Sequence, residues 1–296
     1  MARSATQMVL FETKALTDII NVAAVPQRSP FRYPGGKTWL VPRVRQWLKK
    51  RTAHFIEPFA GGAIVSLTVA AEDLADHVMM VERDEQVASV WKVILERESE
   101  AEWLAETIVN FNLTDQTLME VLASKPRTTR EKAFQTILKN RTFHGGILAA
   151  GSSPLKHGEN GRGIRSRWYA ETLKRRIMDI VTFRDKITFV QDDGIEVMRK
   201  NSRKRDAAFF IDPPYTAGGK RAGRRLYTYS EIDHEELFKV TSKVAGDFLM
   251  TYDDAEDVRE MAKKYNFDTE LVAMKNTHHA SMKELLIGRD LNWARI

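Results

Sequence analysis

The chain has 296 residues, 43% apolar and 29% charged, a soluble globular composition with room for one large domain or a domain carrying an insertion. Cysteine is absent, which removes thiol nucleophiles, disulfides, thiolate metal sites and the covalent cysteine route to cytosine-C5 methylation. The formal charge of +6 suits a polyanionic partner, and an ordinary basic surface would account for it equally.

Residues 1–29 have weak periodicity and end in VPQRSP, so they read as an arm leading into the fold. They lack the basic start, long apolar stretch and small-residue cleavage site of a signal peptide, and a cytoplasmic protein is expected. No apolar run reaches the roughly 18 residues of a membrane span, so no membrane partner is expected. The next segment, FRYPGGKTWL, contains GGKT, the ending of a triphosphate-binding loop. Such a loop needs a glycine five positions before its last glycine, and Phe31 stands there. An aromatic residue cannot take the required backbone conformation, so the ATP reading is weak.

Residues 39–51 read as an amphipathic helix. A short strand at 54–56 then runs into EPFAGG, an apolar helix covers 63–71, and VMMV at 78–81 is a second strand. Strand, glycine turn, helix and strand make one βαβ unit, which implies a parallel sheet. Helical spacing follows over 86–122 and again over 131–140. The basic, glycine-rich stretch 141–169 has too little apolar content to be buried, and a helix is expected over 170–180. ITFV (187–190), AFFI (208–211), FLMTY (248–252) and ELLIG (284–288) read as further strands. The expectation is a discontinuous α/β domain, 1–95 and 181–296, interrupted by a helical and basic insert at 96–180.

Three stretches fall at strand ends, where open α/β sheets bind ligands. In EPFAGG, Gly61 and Gly62 let the backbone approach a ligand, and Pro58 stiffens the turn. Glu82 follows VMMV at the distance from the glycines where an acid holds a ribose diol, though an exposed strand-end glutamate would look the same. FFIDPPY is the most specific. Its prolines fix the backbone, Asp212 and the Pro213 carbonyl make a pair of acceptors suited to one NH₂ group, and Tyr215 offers a flat face for a planar ring. The seven histidines show no metal-ligand spacing, and no metal is expected.

FRYPGGK, EPFAGG, an acid after the second strand and DPPY, in this order and with an insert before DPPY, resemble the D12 class of adenine-N6 DNA methyltransferases, the family of the Dam methylases. The resemblance spans about 31–287. It implies a Rossmann-like S-adenosylmethionine-dependent methyltransferase fold with a helical DNA-recognition insert, a monomer acting on double-stranded DNA. It also implies that Gly35, Gly36 and Lys37 serve the methyl donor rather than a triphosphate. Tyr33 and Lys37 would border the methionine moiety of S-adenosylmethionine, and Glu57, Pro58, Phe59, Gly61 and Gly62 would wrap the donor. Glu82 would bind the ribose hydroxyls, and Asp193 or its neighbour Asp192 the donor's adenine amino group. Asp212 and Pro213 would hold the target N6 amino group, with Tyr215 stacked on the base. Arg141, Arg162, Arg165 and Arg167 in the insert, and Lys220, Arg221, Arg224 and Arg225 after DPPY, would contact the DNA backbone. The Dam proteins that read GATC carry an asparagine-rich segment where this chain has KNRTFHGGILAAG, so adenine alone is the expected target.

Overall fold

The computed structural model describes residues 24–33, 35–158, 161–214, 231–275 and 281–295. Tyr215, Lys220, Arg221, Arg224, Arg225 and most of the N-terminal arm lie outside the described residues.

Seven strands form one sheet: β1 (Thr52–Glu57), β2 (Ala75–Val81), β3 (Ile187–Val190), β4 (Ala207–Ile211), β5 (Asp247–Tyr252), β6 (Asp268–Lys275) and β7 (Ser281–Gly288). Their order is β3-β2-β1-β4-β5-β7-β6. The first five are parallel, and β7 runs antiparallel between β5 and β6. A sheet wound outward in both directions from β1 and β4, with helices on both faces, contains the parallel part that the βαβ unit implied and is the Rossmann-like fold that the resemblance implied. The added antiparallel hairpin carries β6, a strand the sequence reading did not contain.

The central strands are buried on both sides, which is why β4 reads as an unbroken apolar run with every residue of Ala207–Ile211 buried. Alternation sends Phe55, Ala208, Phe210, Leu249 and Leu286 to one face, against α1 (Val41–Trp47), α2 (Ile64–Ala71) and α3 (Glu85–Glu96). Ile56, Phe209, Ile211, Met250 and Leu285 go to the other, against α8 (Gly194–Asn201) and helices His234–Ser242 and Glu256–Lys264.

Between β2 and β3 the chain adds α4 (Glu98–Asn110), α5 (Asp115–Ala123), α6 (Thr129–Thr142) and α7 (Ala170–Val181). Leu104 and Ile108 of α4, Ile137 of α6 and Ile177 of α7 join the apolar cluster that contains Trp91 and Ile94 of α3, so the sheet's core continues into the helical segment. The stretch 141–169 departs from expectation. Phe143, Leu148, Ala149 and Ile164 are buried, because these apolar side chains turn inward, while Tyr169 at the end of the stretch stays exposed. Helix α1 is also shorter than the sequence suggested, with a 3₁₀ turn at Lys37–Leu40 before it and its end at Trp47. Among the described residues no helix is long and apolar enough to cross a membrane.

Candidate active site

The winding reverses between β1 and β4, which opens a crevice beyond their C-terminal ends. Glu57 closes β1, and Asp212 is the first residue after β4. Because side chains alternate along a strand, Glu57 shares the face of Phe55, Asp212 that of Phe210, Thr251 that of Leu249, and Glu284 that of Leu286. Four polar side chains from four strands therefore converge on one face. The chain that follows Gly36 packs onto that face through Leu40, Val41 and Val44.

Lys37 is 4% exposed. Its Nζ donates to Gly35 O at 2.9 Å and lies 2.9 Å from Asp212 Oδ1 and 3.2 Å from Glu284 Oε1. Thr251 Oγ1 donates to the same Asp212 Oδ1 at 2.8 Å. The parallel pairing of Ile211 with Met250 sets Asp212 beside Thr251, so this contact follows from register. Glu57, 3% exposed, accepts from Ser66 N at 3.0 Å in the first turn of α2. Burial, reinforced by the charge of Asp212 and opposed by the Ser66 hydrogen bond and Lys37, pushes the Glu57 carboxyl up to about 8. Behind Asp212, the Tyr252 hydroxyl meets His234 Nδ1 at 3.0 Å, and burial holds the phenol well above its usual range.

The glycine turn lies beside this cluster. Gly61 has φ +47°, and a Cβ there would stand 2.5 Å from Tyr33 Cε1, so both the conformation and the close approach of Tyr33 require glycine. Phe31 is buried against Trp91, whose Nε1 donates to Gly61 O at 2.9 Å. The residue that breaks the triphosphate loop thus belongs to the core beneath the turn. Glu82 accepts from Gly61 N at 2.9 Å through one oxygen and from Asp84 N at 2.8 Å through the other. Burial pushes its carboxyl up to about 7.

Asp193 caps α8, its Oδ1 accepting from Ile195 N and Glu196 N, while Oδ2 lies 3.3 Å from Arg83. Asp192 faces Lys200 at 2.9 Å. A Cβ on Gly194 would stand 2.2 Å from Pro58 O, so the start of α8 presses directly on the EPFAGG turn, and half-buried Phe59 lies at the same junction. Gly35 and Gly36 are exposed, whereas Gly62 and Pro213 are buried.

The arginines of the insert divide. Arg162 and Arg165 are exposed, and Arg165 Nε donates to Leu113 O at 2.9 Å. Arg141 is not on the surface as expected for a backbone contact: it is 4% exposed, and among the described residues its Nε meets no hydrogen-bond acceptor. Burial, with the charges of Arg176, Arg32 and Arg167 added, pushes it down to about 9. Next to it, Asn140 accepts from Arg32 N at 2.8 Å and donates to Arg32 O at 2.9 Å, tying the end of α6 to the residue before Tyr33.

A family model described as D12 class N6 adenine-specific DNA methyltransferase matches residues 33–277. The chain belongs to this family. It is therefore a methyltransferase of the D12 class, and the triphosphate reading of GGKT ends here, with Lys37 held between two carboxylates. No curated protein sequence matches the chain. Among solved structures, the rRNA methyltransferase aviRa of Streptomyces viridochromogenes superposes with a TM-score of 0.39 at 12% identity, covering 88% of this chain and 89% of that one. A precorrin-6y C5,15-methyltransferase of Geobacter metallireducens GS-15 gives 0.37 at 11%, covering 84% and 85%. Likenesses of this size identify neither substrate nor reaction. The D12 match stops short of Glu284, which sequence reasoning had read only as the start of an apolar strand. Thr251 was hidden in the same way inside FLMTY. The one available signal was an acid heading an otherwise apolar run.

The raised Glu57 carboxyl has a consequence for stability. Its folded pKa of about 8 exceeds the ordinary 4.5, so its contribution is complete below about pH 4.5 and is lost as pH rises through 8. Each unit of displacement corresponds to about 1.4 kcal/mol. Glu57→Gln, which cannot ionise, is expected to gain thermal stability relative to wild type as pH goes from 5 to 9. Melting curves of both proteins across that range check this, and a gap that does not change with pH would contradict the assignment.

Proposed function

We propose that this D12 methyltransferase transfers a methyl group from S-adenosylmethionine to N6 of adenine in double-stranded DNA. The observation that carries the reading is the meeting of Asp212 and Glu57 at the switch point, which sets an amino-group acceptor beside a buried acidic, glycine-lined turn.

The residues fit the donor on chemical grounds. S-adenosylmethionine supplies a methyl group already activated by a positive sulfonium. Glu57 and Glu82 are acids whose charge is held back by burial until a cation arrives, and the Glu82 carboxylate would accept from a ribose hydroxyl. Tyr33, packed over Gly61 and Gly62, would border the donor together with Gly35 and Gly36. Asp193 holds the start of α8 and would meet the donor's adenine from there.

Adenine N6 is a poor nucleophile because its lone pair is delocalised into the ring. Asp212 and the Pro213 carbonyl would accept its two hydrogens and favour the localised, pyramidal nitrogen, so this chain would act by preorganised electrostatics. The departing proton leaves through Asp212 or to water. The base must first leave the duplex, since a paired N6 cannot reach acceptors at the end of a sheet; Tyr215 would then stack on it. Residues 96–180 would read the target, with Arg162, Arg165 and Arg167 following the backbone. Buried Arg141, with Arg32, Arg167 and Arg176 nearby, is suited to a phosphate, because a guanidinium that deep is costly until an anion joins it.

Asp212→Ala is expected to abolish methyl transfer to adenine in duplex DNA while leaving donor binding within about threefold. Transfer assays with duplex DNA and with RNA as alternative acceptors decide the substrate, and transfer to RNA alone would replace the DNA reading. Calorimetry should show heat with S-adenosylmethionine and none with ATP. Donor affinity should rise between pH 6 and 8 with proton release, because ionised Glu57 and Glu82 favour a cation; affinity independent of pH would remove those two acids from the donor site. Arg141→Met should weaken duplex binding and flatten its salt dependence by about one charge, with no loss of thermal stability. Loss of stability with an unchanged salt slope would make Arg141 structural.

A further inference from the structure

Glu284 lies beyond the residues matched by the family model, yet it is 3% exposed and 3.2 Å from Lys37 Nζ. A carboxylate that deep is costly unless a cation and hydrogen bonds compensate it. Lys37 supplies the cation, but it also holds Asp212, so one ammonium is divided between two acids. This division has a chemical use. A lysine paired with Asp212 alone would draw electron density from the oxygens that must accept the amino group. Glu284 on the other side of the ammonium moderates that pull and fixes where the lysine stands.

The orientation of Asp212 is set from two directions. Lys37 reaches Oδ1 from the segment packed over the sheet, and Thr251 Oγ1 reaches the same oxygen from the adjacent strand. Two donors on one oxygen oppose rotation of the carboxylate about its bond to the chain. We infer that Glu284, Lys37 and Thr251 are positioning residues: Glu284 anchors the Lys37 ammonium, and Lys37 with Thr251 fixes the Asp212 carboxylate in the direction that accepts the target amino group. The inference rests on the role given to Asp212 above. It assigns Lys37 to the acceptor side of the site rather than to the methionine moiety of the donor.

The charges facing this cluster come from every element around it. Lys37, Asp212 and Glu284 are joined by Glu57 from β1, which carries its proton at neutral pH. Tyr252 from β5 stays neutral, and His234, whose pKa burial lowers, bonds to it; Asp257 acts on both from the helix beyond. Removing Lys37 leaves Asp212 and Glu284 without their shared cation beside an already protonated Glu57, and such a pair takes up a proton. Removing the Glu284 charge as well relieves the crowding.

The test is a cycle of wild type, Lys37→Met, Glu284→Gln and the double variant, read in two ways. Melting of the donor-free proteins against pH reports the ion pairs without reference to catalysis. Lys37→Met should destabilise more than the double variant does, with a coupling that shrinks at acid pH. Steady-state kinetics on the acceptor that wild type methylates reports positioning. Glu284→Gln should lower kcat roughly 10-fold, less than the ~100-fold or more for removing a directly stabilising group, with KM and donor affinity changed less than about twofold. Lys37→Met should move the acid limb of the kcat profile to higher pH, and the double variant should move it back. Thr251→Val should lower kcat with donor affinity intact, and Thr251→Ser should restore it. Coupled melting with unchanged kcat in Glu284→Gln and Thr251→Val would leave a structural ion pair and overturn the positioning role. Additive melting would overturn the cluster itself. Failure of wild type to methylate any adenine would instead defeat the role of Asp212 and leave the melting cycle to stand.

Discussion

The contact between Lys37 and Asp212 is the constraint on which the rest of the site depends. It joins a 3₁₀ turn before the first strand to the residue that follows the fourth, across the point where the sheet changes its direction of winding. Burying that ammonium requires acceptors on several sides, and Gly35 O, Asp212 and Glu284 supply them. Each acceptor arrives by a different rule. The carbonyl comes from a glycine turn, Asp212 from the end of an apolar strand, and Glu284 from alternation along β7. Lys37 is thereby pinned at the crevice, and Tyr33 lies over Gly61.

Charges of opposite sign are set apart within the molecule. At the strand ends, Glu57 and Glu82 are acids kept partly protonated by burial, a region made ready for a cation. At the end of α6, Arg141 is a cation kept from solvent with other arginines around it, the region to which the proposed function assigns an anion. Both conditions cost stability in the isolated protein, and a cationic donor and a polyanionic acceptor would relieve them separately. Asn140 lies between the two regions, bonded on both sides of Arg32 immediately before Tyr33. Occupancy on one side is therefore mechanically adjacent to the other.

Much of this was legible in the sequence because the signals were local. All six expected strands, the two of the βαβ unit among them, follow from short apolar runs bounded by turn residues, and DPPY and EPFAGG are motifs of consecutive residues. What escaped reading was set by distance or by edge position. β6 is an edge strand that opens on three polar residues, Asp268, Thr269 and Glu270, and its apolar part, LVAM, is short and unbounded by glycine or proline. Lys37 was legible as a site residue, but its partners were not: nothing in GGKT says that its counter-charges arrive from DPPY and from β7. Arg141 looked like any other basic residue of a glycine-rich stretch, because composition does not reveal that a few apolar side chains will fold that stretch inward. The resemblance implied a donor and a target; it was silent on what contacts Asp212.

The position of β7 bears on how the protein becomes active as it is made. This strand is formed after β6, yet it inserts between β6 and β5, so β6 has no place in the sheet until β7 exists. Up to that moment β5 presents an open edge, and Lys37 faces Asp212 without Glu284. A growing chain can thus assemble the parallel part of the sheet and the crevice while the balance of charge around Asp212 remains incomplete. Pairing of the last strand therefore completes the sheet and brings Glu284 to Lys37 in one event.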